Sequence, residues 1–210
     1  MVNVAPGTSE KPPVASSDAA WVAIPSPLPV SGLAELCRDV EAIFRVNPYW
    51  YFESWEQTGP ATYRTEFDNQ SIPQRVAIDF EIVPGPGQGY TVNYRHGIKK
   101  RTVFTIEPCA QGSRLTITDD YESLPEPDRS VRTHEVDKSL PAWGEALRRY
   151  FMRQRRWSWL PGWRWYMRRV WVPMKPSSRR VVWLIYLVSV AEFFFFLFVL
   201  LIYAIEQNKP

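Results

Sequence analysis

Residues 136–151 read VDKSLPAWGEALRRYF. Val136, Leu140, Trp143, Leu147 and Phe151 are spaced 4, 3, 4 and 4, one unbroken apolar stripe at helical period. Asp137, Lys138, Glu145 and Arg148 lie off that stripe. Pro141 within a continuous helix would cost about 3 kcal/mol, so it fits better in the first turn of a helix capped by Ser139. A long amphipathic helix needs an apolar surface to lie on.

The preceding sequence supplies that surface as a sheet. QRVAIDFEI (74–82) alternates Val76, Ile78, Phe80 and Ile82 with Arg75, Asp79 and Glu81. YWYFESWEQ (49–57), ATYRTEFDN (61–69), GYTVNYR (89–95), RTVFTIE (101–107) and SRLTITDDY (113–121) are also strand-like. Turn signals separate them at Gly59-Pro60, PGPGQG (84–89) and Cys109–Gly112. Consecutive strands with short links make an antiparallel meander with one face buried. A short extended run, Trp21–Ile24, comes earlier. Between the two, Ser31 is placed to cap a helix that carries Leu33, Leu36, Val40 and Phe44 and ends before Pro48. One initial strand, a helix, six further strands and a long helix predict an α+β fold. A curved antiparallel sheet grips the C-terminal helix and leaves a cavity between the layers.

Two segments carry a family resemblance. Leu33–Pro48 (LAELCRDVEAIFRVNP) has Asp39-Val40-Glu41 followed by Asn47-Pro48, and Ser139–Tyr150 (SLPAWGEALRRY) occupies the long-helix position. Over about residues 20–157 the chain resembles the START-like proteins, also called the SRPBCC or polyketide cyclase-like superfamily. The resemblance implies a helix-grip fold with a hydrophobic ligand tunnel. Its members include lipid carriers, quinone-binding proteins, hormone receptors and a few cyclases. On that reading Tyr63, Phe80, Tyr94, Phe104 and Trp143 line a pocket for an apolar ligand of lipid or quinone type. The alternative is that these aromatics simply fill a small core.

Catalytic and metal chemistry are not indicated. His96 and His134 are the only histidines, and neither has a ligand partner at metal-binding spacing. Cys37 and Cys109 read as free thiols. No nucleophile elbow, P-loop or dinucleotide fingerprint is present. Asp119 shares a strand face with Ile117 and Tyr121 and could point inward, but Asp119-Asp120 reads more simply as strand-end carboxylates in water. The expectation is a domain that is not an enzyme and has no cofactor. A cyclase-like activity is the weakest of the alternatives.

The rest of the chain changes solvent. From Arg148 to Arg180 there are eleven basic residues and no acidic one, threaded with Trp157, Trp159, Trp163, Trp165 and Trp171. Residues 181–205 are then almost wholly apolar, long enough at ~1.5 Å per residue to cross a bilayer. Trp163, Met167, Val170, Trp171 and Met174 fall on one helical face, with Arg164, Arg168 and Arg169 mostly away from it. Pro161 would sit in the first turn. Such a helix can lie in the headgroup plane, with Trp163 and Trp171 among the lipids and the arginines on anionic headgroups. The basic flank precedes the span and Lys209 follows it, so the positive-inside rule places the domain on the cytoplasmic face of an inner membrane.

The expected organisation is a disordered N-terminus (1–19), the START-like domain (20–157), a basic juxtamembrane segment (158–180), a transmembrane helix (181–205) and a short tail (206–210). Residues 1–147 carry 13 Lys/Arg against 20 Asp/Glu, a net of −7, which argues against nucleic acid as a partner. Glu192, near the middle of the span, is costly unless neutral or paired. It marks a contact with another helix, in a homo-oligomer or a partner membrane subunit. A non-catalytic accessory subunit of a membrane complex is therefore the rival reading.

Overall fold

A computed structural model describes residues 19–71, 74–96, 99–121 and 139–207. Residues 1–18, Val136, His134 and Lys209 lie outside the described residues. The chain forms two compact units that divide between Pro173 and Met174.

The first unit has seven strands among its described residues. They are β1 (Ala19–Ser26), β2 (Trp50–Gln57), β3 (Thr62–Asn69), β4 (Gln74–Pro84), β5 (Tyr90–Tyr94), β6 (Arg101–Cys109) and β7 (Gly112–Asp120). The sheet order is β1-β7-β6-β5-β4-β3-β2, antiparallel throughout. The strands after the first are sequential neighbours, as short turns dictate, and β1 closes on β7. A register shift between Phe52 and Ser54 marks a bulge in β2; such a feature bends the strand and adds twist.

The helix expected over residues 31–48 is broken in two. α1 runs Val30–Cys37 and α2 runs Val40–Arg45. Ser31 does not cap the first: Pro29 holds the N-cap position and no side chain caps it. The break is made by Asp39, whose Oδ1 accepts from the Ala42 amide at 3.2 Å. A short acid that satisfies an N-terminal amide starts a new helix rather than continuing an old one. The change of direction drives Phe44 into the centre of the domain.

α3 (Ser139–Trp157) follows the stripe, with Leu140, Trp143, Leu147 and Phe151 buried and Pro141 in its first turn. It lies on β1. Gly144 permits the close approach, since a Cβ there would stand 2.7 Å from Cγ2 of Val22. Trp143 is buried, and its indole N–H donates to the Ile43 carbonyl at 2.9 Å. The apolar indole and its one polar atom are thus both satisfied against α2 and the sheet.

After α3 the chain turns through Gly162 (φ 82°) into α4 (Trp163–Tyr166), which continues as a π-helical turn over Met167–Trp171. Pro161 belongs to the turn and not to the helix. The second unit is α5, Pro176–Gln207, 32 residues with mean hydropathy 2.6 over its most apolar window. Pro176 suits a first helical residue, where its missing N–H costs nothing. Among the described residues α5 alone is long and apolar enough to cross a membrane, at about 48 Å.

Trp143 fills the centre of this arrangement. Trp143→Ala should destabilise the domain by about 3–5 kcal/mol, as large-to-small changes of buried aromatics do. Denaturant unfolding of the detergent-solubilised chain measures this. A loss near the ~0.5 kcal/mol of surface sites would show that this face of α3 is not core.

Candidate functional site

The strand register decides what faces α3. Directly opposed residues of an antiparallel pair share a face. Tyr63 lies opposite Phe80 and Phe80 opposite Tyr94; Tyr90 opposes Phe104, which opposes Ile117; Thr102 opposes Asp119. Of the five aromatics expected to line a pocket, the four on strands are therefore on the inner face, and Trp143 of α3 meets them from the helix side. They are nevertheless not one site.

Phe104 and Trp143 belong to a packed aromatic cluster. Phe44, fully buried, is its hub, with ring centroids 5.5 Å from Trp143, 5.7 Å from Trp50, 5.8 Å from Trp55 and Phe80, and 6.3 Å from Phe104. Edge-to-face and offset contacts at these distances are favourable. The rings occupy the space between sheet and helix where a tunnel was expected.

Tyr63 and Phe80 stack at 5.5 Å and 16°, and both line a pocket of about 280 Å³ with Thr58, Thr62, Arg64, Asp79 and Arg95. Arg64 grips Asp79 through two hydrogen bonds, 2.8 and 3.2 Å. Chiefly through that grip, Arg64 holds the Asp79 carboxyl below its ordinary range. Arg95 brings a further positive charge to the rim. Arg64, Asp79 and Arg95 alternate along their strands with Tyr63, Phe80 and Tyr94, so the charged groups of this pocket lie on the outer face of the sheet, away from the aromatic rings.

Tyr94 leads instead to a buried polar chain. Its hydroxyl lies 3.0 Å from Thr102 Oγ1, which donates to Asp119 Oδ1 at 2.6 Å. Asp119 Oδ2 accepts from Lys99 Nζ at 2.5 Å and from the Tyr121 hydroxyl at 3.2 Å. Lys99 Nζ also stands 5.7 Å from the centroid of the Trp50 ring. A carboxylate paired with Lys99 can only accept, so Thr102 donates to Asp119 and its oxygen accepts a hydrogen bond from the Tyr94 O–H in turn. Burial, and secondarily the Asp119 charge, push the Tyr94 phenol well above its ordinary range. The expectation that Asp119 is a solvated strand-end carboxylate is corrected: Asp119 is fully buried and matched by Lys99. Sequence reasoning missed Lys99, a residue of a basic turn, because its inward direction is a property of the register.

The basic segment also differs from expectation. Met167 is 1% and Val172 5% exposed. The Trp163 indole donates to Gln154 at 3.2 Å, and Trp171 stacks on Tyr150 at 6.3 Å beneath the Arg153 guanidinium. The face carrying Trp163 and Trp171 packs in part on the domain itself, and both indoles are half-buried. The π turn explains how: Val172 N–H bonds Met167 O at 2.9 Å, and this wider turn brings residues five apart onto one side. Arg164, Arg168 and Arg169 stay exposed. Arg164 and Arg168 each lie 3.5 Å from a carboxylate, Glu35 and Asp39 respectively.

No protein-family model matches the chain, and no curated protein matches it in sequence. Similar solved structures include protein Ms6760 from Mycobacterium smegmatis, 11% identical with a TM-score of 0.50, covering 65% of this chain and 92% of that one. A START superfamily protein from Mycobacterium smegmatis is 14% identical, with a TM-score of 0.49 over 65% of this chain and 97% of that one. A Thermus thermophilus protein, TTHA0849, is 17% identical, with a TM-score of 0.48 over 64% and 95%. The fold is START-like. At these identities the likeness concerns architecture alone. In this START-like domain the sheet and the long helix are as the motifs led one to expect, and a helix-borne phenylalanine stands at the centre.

The Lys99–Asp119 pair gives a measurable consequence. Asp119→Ala leaves a largely buried ammonium unmatched and should cost about 3 kcal/mol, toward the lower end for a broken buried pair because Lys99 retains some exposure. Lys99→Met combined with Asp119→Leu should recover most of that loss. Equal destabilisation by the single and double variants, in denaturant unfolding, would show that the two side chains do not act as a pair.

Proposed function

We propose that the chain is a non-enzymatic START-like domain, held at the cytoplasmic face of a membrane by α5, that binds a small ring-bearing apolar ligand. The START-like fold carries the reading, together with the inner-face rings Trp55, Tyr63 and Tyr94, which are only partly buried at the edge of the aromatic cluster. Phe44, Phe104 and Trp143 fill the interior beyond, so a two-chain lipid has no room inside. A quinone-type ring fits better, because a single planar ring needs only the partly buried aromatic edge formed by Trp55, Tyr63 and Tyr94. The bias of eleven basic residues before the span to Lys209 after it supports the cytoplasmic side.

The filled interior also favours a second reading, an accessory subunit of a membrane complex. In that case α5 supplies the contact. Glu192 lies in the apolar stretch of a helix whose side chains there are nearly all exposed, and a carboxyl at that depth is stabilised by a partner helix.

Both readings meet one experiment. The full chain is purified in mild detergent, and bound small molecules and bound proteins are identified by mass spectrometry. A ring compound recovered with wild type and lost with Tyr63→Ala supports ligand binding. No such compound, together with a stoichiometric membrane protein that is lost on Glu192→Leu, would replace it with the subunit reading.

A further inference from the structure

With the Trp163 and Trp171 face turned inward, the opposite side of the basic segment is left bare. Trp159 is 73% and Trp165 65% exposed, and Tyr166 is also exposed. Tyr166 is joined to the segment's other aromatics: it lies 5.9 Å from Trp163, which lies 5.9 Å from Trp157. Arg156 stands over Trp157 at 5.3 Å. A water-facing surface has no use for two large indoles at such exposure, and contiguous apolar area of this kind marks a contact.

The charge around the rings selects what they contact. Arg149, Arg156 and Arg169 are exposed and have no carboxylate at ion-pair distance among the described residues. Arg155 donates to the neutral Pro27 carbonyl. A symmetric contact with the same face of a second copy would bring like charge to it. The helix α5 begins at Pro176, ten residues beyond Tyr166, so even fully extended chain keeps Tyr166 within about 35 Å of the start of that helix. Tryptophan and arginine together suit the headgroup layer: the indole is apolar with one donor, and the guanidinium forks onto phosphate.

We propose that the turn between α3 and α4 and the outer side of α4, bearing Trp159, Trp165 and Tyr166 among unpaired arginines, docks on anionic lipid headgroups. This rests on the reading of α5 as a membrane span. It exchanges the expected lipid-facing tryptophans, Trp163 and Trp171, for Trp159 and Trp165. The domain is then fixed at two places, by its span and by its surface, and its orientation depends on lipid charge.

The test uses the full chain with Cys109→Ser and a polarity-sensitive thiol probe on Ser158→Cys, in the turn beside Trp159. Cys37 does not compete, because burial pushes its thiol up to about 12. The protein is reconstituted into vesicles of phosphatidylcholine alone or mixed with phosphatidylglycerol. A blue shift of the probe in the mixed vesicles is expected. It should be lost when Trp159 and Trp165 become Ser, or when Arg149, Arg156 and Arg169 become Gln. The same probe on Glu107→Cys, an exposed position of β6, should not respond. Resistance to alkaline extraction reports the span separately. Retained resistance with no shift at Ser158 overturns the docking face and leaves the span reading intact; lost resistance overturns the span reading. A shift that appears only when a purified membrane protein or nucleic acid is added overturns the lipid assignment.

Discussion

The position of Phe44 is the constraint on which the domain depends. Asp39 ends one helix and begins another, and the new direction aims the Phe44 ring between sheet and α3. Five other rings close on it at 5.5–6.3 Å. Burying rings of this size contributes most of what holds two layers together. It also decides what the interior can accept. A helix-grip sheet with a small residue at that place would surround a void; here it surrounds side chains, and the inner-face rings left partly exposed are Trp55, Tyr63 and Tyr94 at the edge.

The long helix and the meander were legible because each has a strong period and clear boundaries. The stripe from Leu140 to Phe151 and the alternation through Phe80 both translate directly into burial. What was not legible depends on pairs of residues distant in sequence. Asp119 next to Asp120 looks like a wet strand end until the register sets Thr102 opposite it. Lys99 in a basic turn looks solvated until the curl of the sheet carries Trp50 beside it. The break at Asp39 was present in the sequence as a capping acid, but helical spacing on both sides concealed it. The π turn defeats any reading at fixed period, since five-residue spacing places Met167 and Val172 together where 3.6 would part them.

Charge is organised at two scales. At short range, Arg164 and Arg168 stand four residues apart and meet Glu35 and Asp39, also four apart. These pairs are exposed and each contributes little, on the order of 0–1 kcal/mol. At long range, an acidic body and a basic flank sit in one chain. An anionic surface repels the first and attracts the second, so the flank defines the only electrostatically favourable approach. Salt weakens the short-range pairs and the long-range attraction together.

Gly144 puts the filled state of the interior in a different light. Val22 stands where a side chain at 144 would begin, and α3 rests on β1 only because nothing is there. Any added methyl is a wedge at the seam between helix and sheet, and the layers would separate from that point. At this seam the closest approach of helix and sheet is thus set by the smallest residue on the helix. A chain of this design stands one substitution away from a wider grip.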